Sequence, residues 1–114
     1  MEQNEIKISE KVKALAEALA KARAEALKFK DIDDGGTCNL DCPTLHLKRW
    51  RETDVQKACE LAGLSCNKWE DYYFNYHIAR ACYGQANRRT KMAEAFTEAM
   101  KNAGYEASVW YAMD

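Results

Sequence analysis

The sequence predicts an α+β protein in which one long helix precedes strands and helices in the order β-α-β-β-α-β. Three observations lead there. An apolar residue recurs at alternating steps of four and three through residues 5–29, the mark of a helix with one greasy stripe. Residues 72–78 alternate instead with period two and are rich in aromatics, the mark of a half-buried strand. Finally, Ala62-Gly63-Leu64-Ser65-Cys66-Asn67-Lys68-Trp69 is echoed by Ala103-Gly104-Tyr105-Glu106-Ala107-Ser108-Val109-Trp110, so two helix ends feed strands at equivalent places. A split β-α-β unit needs that repetition, and the order matches a ferredoxin-like sandwich. Both of its helices are expected on one sheet face. The other face is left to the N-terminal helix, a partner chain or a ligand.

Taken in order, the first helix carries Ile8, Val12, Leu15, Leu19, Ala22, Ala26 and Phe29 on its stripe, with Ala16, Ala20 and Ala24 beside it. Ser9 or Asn4 is placed to cap its start. Two readings stand for the stripe, packing on the chain's own sheet or pairing with its copy, and a homodimer is the expected assembly. Residues 44–48 alternate polar and apolar and form the first strand. The helix at 53–62 has an apparent capping box in Thr53 and Gln56, an apolar face of Val55, Ala58, Cys59 and Ala62, and Gly63 as its stop. Residues 64–69 form a second strand, joined to the 72–78 strand by a hairpin at Glu70-Asp71. On the third strand Tyr72, Phe74, Tyr76 and Ile78 face one way, and Tyr73, Asn75 and His77 the other. A helix over 87–102 buries Met92, Phe96, Ala99, Met100 and Ala103, Gly104 stops it, and 105–112 closes the sheet.

The 114 residues suffice for one domain, 1–114, with 44–113 as its sheet-bearing core. The net charge of −1 argues against a wide basic face for duplex nucleic acid. No apolar run approaches membrane-spanning length and the N-terminus lacks a signal-peptide core, so a cytoplasmic protein is expected. The odd count of five cysteines fits free thiols better than a disulfide framework, with Cys59 and Cys66 as small core residues.

No nucleophile elbow, phosphate loop, dinucleotide fingerprint or HExxH occurs, and Cys82 near His77 has no third group to orient it, so no enzyme is expected. The acidic loop 31–43 does not match a calcium loop: Gly35 stands fifth and Cys42 twelfth, where an EF-hand wants glycine sixth and glutamate twelfth. Cys38, Cys42 and His46 stand at four-residue spacing, with His77 or Cys82 as a fourth zinc ligand, but Pro43 interrupts them. The expectation is therefore no metal and no cofactor.

The informative conflict lies at 84–91. Arg88, Arg89 and Lys91 crowd the start of a helix, where the backbone dipole favours acids, and no acid follows before Glu94. An anion belongs nearby: the chain's own Asp31, Asp33 and Asp34, or a bound phosphate or carboxylate. The expected ligand site joins Gln85, Asn87, Arg88 and Arg89 to Asp33, Asp34, Thr37 and Asn39, with an aromatic ring stacking on a base. Three partners fit it: a nucleotide-like anionic small molecule, a protein effector met by the aromatic strand and long helix, or a single-stranded nucleic acid. The last lacks the glycine-aromatic signature of RNA-recognition domains.

The phrases Asp-Asp-Gly-Gly-Thr-Cys-Asn (33–39) and Gly-Gln-Ala-Asn-Arg-Arg-Thr (84–90), with the ending Tyr-Ala-Met-Asp (111–114), resemble small proteins of bacteriophages and mobile elements of Gram-positive bacteria. The resemblance implies a non-enzymatic antagonist of host defence, one that sequesters a signal or blocks an effector. It assigns no residues.

Overall fold

The computed structural model describes residues 9–31, 41–68, 75–81 and 86–111, with the backbone alone for residues 86 and 87. Ser9 opens the first helix, α1 (Glu10–Leu27), by accepting a hydrogen bond from the Val12 amide at 3.2 Å. Its stripe residues Val12, Leu15, Leu19, Ala22 and Ala26 are all buried within the chain, joined by Ala18. The helix packs mainly against α3 (Ala86–Asn102) and secondarily against α2 (Glu52–Leu61). The small side chains at 18, 22 and 26 let it approach closely. Burial inside the chain removes the physical motive for pairing two copies through this stripe. At its outer end, the Lys11 ammonium lies 4.2 Å from the centre of the Trp50 ring.

Four strands follow, β1 (Cys42–His46), β2 (Ser65–Lys68), β3 (Asn75–Ala79) and β4 (Ala107–Trp110). They form one sheet in the order β2-β3-β1-β4, antiparallel at every step. β1 and β2 therefore run the same way on either side of β3, and α2 makes the crossover between them. The first strand starts two residues earlier than its alternation suggests. Pro43 is tolerated there because the β1–β3 pairing begins only at Thr44, so no ladder bond to β3 needs its missing N–H. Beyond β1 the chain turns through Arg49, at φ 65°.

The capping box expected from Thr53 and Gln56 is not formed. The N-cap is Arg51 and makes no side-chain cap bond, which puts Thr53 inside the first turn. Glu52 and Asp54 in that turn complement the helix dipole instead, and Gln56 donates to Glu52 at 3.2 Å. The two helix stops do match. Gly63 has φ +78° and Gly104 has φ +96°, and the next residue's amide reaches back five positions, Leu64 to Cys59 at 2.7 Å and Tyr105 to Met100 at 3.1 Å.

Leu45, Tyr76, Ile78 and Ala107 project from the sheet into one core with residues of all three helices, among them Leu15, Val55 and Phe96. The N-terminal helix thus shares a face with α2 and α3 and does not cover the other one, which corrects one of the three occupants expected for that face. By strand alternation and register, the opposite face carries Cys42, Thr44 and His46 of β1, Asn75, His77 and Ala79 of β3, Ser65 and Asn67 of β2, and Ser108 and Trp110 of β4. Among the described residues no helix packs on it, and none is long and apolar enough to cross a membrane.

Candidate functional site

This helix-free face is unusually polar for the centre of a sheet, and its polar groups are tied to one another. The register sets Thr44 opposite both His77 and Ser108, and His46 opposite Asn75. His46 Nδ1 lies 2.6 Å from Asn75 Oδ1 and its Nε2 lies 2.8 Å from Ser108 Oγ. An amide oxygen only accepts, so the ring donates from Nδ1, and the serine hydroxyl occupies Nε2. Both nitrogens are spent, and His46 is a fixed wall of the face.

One step along, Cys42 Sγ lies 3.0 Å from His77 Nδ1. Burial pushes the Cys42 thiol up to about 11, and the nearby Arg89 guanidinium offsets this only in part. Burial also lowers the His77 pKa, with His46 adding to the effect. The pair is accordingly neutral at physiological pH: the thiol donates to Nδ1, and no thiolate–imidazolium couple forms. Trp110 meets the His77 ring edge to face, with centroids 5.1 Å apart.

At the β3 end of the face, Cys42, Asn67, His77, Ile78, Ala79, Arg80 and Arg89 enclose a hollow of about 230 Å³. Arg89 is steered there by its Nε, which donates to the Asp41 carbonyl at 2.8 Å. Thr90, the next residue of α3, donates to the Asp41 carboxylate at 2.7 Å. Arg80 is exposed and held at φ 69°, a left-handed backbone that non-glycine residues rarely adopt. A second hollow of about 160 Å³ lies over Thr44, His46, Asn75, His77, Ser108, Val109 and Trp110. His77 borders both.

Of the residues expected to bind a ligand, Arg89 lines the first hollow, whereas Arg88 is half-buried at the start of α3 and is not part of that lining. Asn87 lies in the first turn of α3, with only its backbone described. Gln85, Asp33, Asp34, Thr37 and Asn39 lie outside the described residues, and so does the expected meeting of the 84–91 and 31–39 segments. Among the described residues, the acid that meets the start of α3 is Asp41, at the far end of the same loop. Of the zinc candidates, Cys42 meets His77 but His46 is engaged by Asn75 and Ser108, and Cys38 and Cys82 lie outside the described residues. Among the described residues no three metal-ligating side chains cluster. Reading residues singly missed Thr44, Asn67, His77, Arg80, Ser108 and Trp110 as a group. The available signal was the alternation within the strands, but only the pairing register puts the four strands' polar positions together.

Compared with known proteins, the chain matches no protein-family model, and no curated protein or solved structure is significantly similar to it.

Proposed function

We propose that the chain is a non-catalytic binding module that takes a small anionic, nucleotide-like ligand on the helix-free face of its sheet. The observation that carries this is the hollow lined by two arginines, Arg80 and Arg89, together with the polar side chains of Asn67 and His77. Guanidinium forks suit phosphate oxygens, and one of these two is held in place by a backbone carbonyl. The left-handed backbone at Arg80 is a local cost of the kind found at ligand-holding positions. A thiol pushed up to about 11 is a poor nucleophile, which favours binding over covalent chemistry. We read the scaffold as a ferredoxin-like sandwich: from its other edge the sheet runs β4-β1-β3-β2, and α2 and α3 make the two crossovers. Sequestration of a signal in antagonism of host defence is the role suggested by the resemblance to small phage proteins.

Calorimetry against inorganic phosphate, nucleotides and cyclic nucleotides tests the proposal. At least one phosphate-bearing compound should bind with an affinity that falls as salt rises. Arg80→Ala should remove that binding and leave the unfolding midpoint unchanged. No heat from any compound would overturn the reading and favour a second one, a protein-binding module anchored on the exposed Trp110, Tyr111 and Leu61.

A further inference from the structure

We propose that the smaller hollow, over Thr44 and beside Trp110, holds the planar heterocyclic base of the ligand, which makes the ligand class a nucleotide and not a simple oxyanion. The inference rests on the anion site proposed above for the phosphate end. Thr44 is only 5% exposed, and its Oγ1 has no hydrogen-bond partner among the described residues. Buried hydroxyls are ordinarily partnered, so an orphan one lining an open hollow calls for a polar group from outside the chain. Of its neighbours, His46 has both ring nitrogens engaged by Asn75 and Ser108, and the Cys42 thiol, which the threonine hydroxyl influences without reaching bonding geometry, is engaged by His77.

What surrounds the hydroxyl narrows the chemistry. Trp110 is 39% exposed and lines the same hollow while meeting His77 edge to face, so it brings an aromatic residue to the hollow's side. The space of about 160 Å³ is on the scale of one base. A flat group with an aromatic face and a ring nitrogen or carbonyl on its edge satisfies both features, because a threonine hydroxyl either donates or accepts. His77 borders both this hollow and the one rimmed by Arg80 and Arg89, so the two form neighbouring compartments of one face, base on one side and phosphate on the other.

The experiment compares inorganic phosphate, ribose 5-phosphate, the common nucleoside monophosphates and the corresponding nucleosides, by calorimetry on wild type, Trp110→Ala and Thr44→Val. At least one monophosphate should bind on the order of tenfold or more tightly than ribose 5-phosphate, the scale of one base stacked on one aromatic ring. Trp110→Ala should bring that monophosphate down to the affinity of ribose 5-phosphate and leave ribose 5-phosphate itself unchanged. Thr44→Val should weaken the monophosphate several-fold while the unfolding midpoint stays level or rises, since the substitution removes an unpartnered buried hydroxyl; a purely structural threonine would not give that combination. Monophosphates no tighter than ribose 5-phosphate, or an equal effect of Trp110→Ala on both, would overturn the inference while the anion site stands. Nucleosides that bind wild type but not Trp110→Ala, with no response to phosphate or ribose 5-phosphate, would uphold the base compartment and reject the anion site.

Discussion

Asp41 is the one charged side chain among the described residues that is buried, and its surroundings explain why it stays. Its carboxylate accepts the Thr90 hydroxyl and its carbonyl accepts Arg89 Nε, so one residue ties the entry to β1 to the start of α3. A hydrogen bond to a charged group is worth about 1.5–3 kcal/mol, so Thr90→Val is expected to lower stability by about that amount in urea unfolding. Adding Asp41→Ala should cost less than the sum of the two single changes, because they share the bond. The sequence indicated that the basic start of this helix calls for an anion nearby, from the chain itself or from a ligand. It could not show which acid, because loop 31–43 has no periodicity from which to read which residue comes near. His77 gives a second expectation at this scale. Its pKa is lowered by burial first and by His46 second, so the unfolded chain takes up a proton at a higher pH than the folded one. The stability tied to neutral His77 is thus fully present above the ordinary histidine value near 6.5 and is lost as pH falls from there through the lower folded value. Urea midpoints measured from pH 7.5 down to 5 should fall more for wild type than for His77→Gln; equal slopes would separate His77 from the acid sensitivity.

Among the elements, the helix stops were the most legible because they depend on local backbone chemistry alone. Ala62-Gly63 and Ala103-Gly104 look alike in sequence and form the same five-residue-back amide bond in space. Their surroundings differ, and that gives a paired prediction. A methyl at Gly63 would stand 2.7 Å from Arg23 Nη1, which itself donates to the Ala62 carbonyl at 3.4 Å and so links α1 to the end of α2. A methyl at Gly104 would meet nothing within 4 Å. Both substitutions carry the left-handed penalty of about 1–2 kcal/mol, and Gly63→Ala should cost more by displacing the arginine. Equal losses on thermal unfolding would mean that Arg23 moves aside without penalty. The start of α2 was less legible: Thr53 and Gln56 have the right spacing for a capping box, but the helix begins at Glu52, where two first-turn acids already serve the dipole. Spacing identifies a cap only when the first helical residue is known, and that residue is set by what precedes it. In β1 the alternation of 44–48 was real, yet pairing with β4 draws the strand back to Cys42.

At the scale of the whole molecule, α1 decides how much of the chain is one cooperative unit. Its stripe was plain in the sequence, and so were the strands. What covers the stripe was not, because one apolar periodicity serves a copy of the chain as well as it serves α2 and α3. The candidate site was hidden for a related reason: Thr44, Asn67, His77 and Ser108 come from four strands, and only the order β2-β3-β1-β4 sets them side by side. The placement of α1 is open to a direct test through Leu19, which is fully buried in the common core. If α1 is part of the monomer's core, Leu19→Ala removes packing that every copy needs, at a cost of about 2–5 kcal/mol. The wild-type unfolding midpoint should then be the same across a roughly twentyfold range of protein concentration, since nothing in the transition depends on a second chain. If the helix instead joined two copies, the wild-type midpoint would climb with concentration and Leu19→Ala would flatten that climb. Chemical unfolding of both proteins at the two ends of the range separates these outcomes, and the burial of Leu15, Leu19 and Ala22 inside one chain predicts the flat wild-type result.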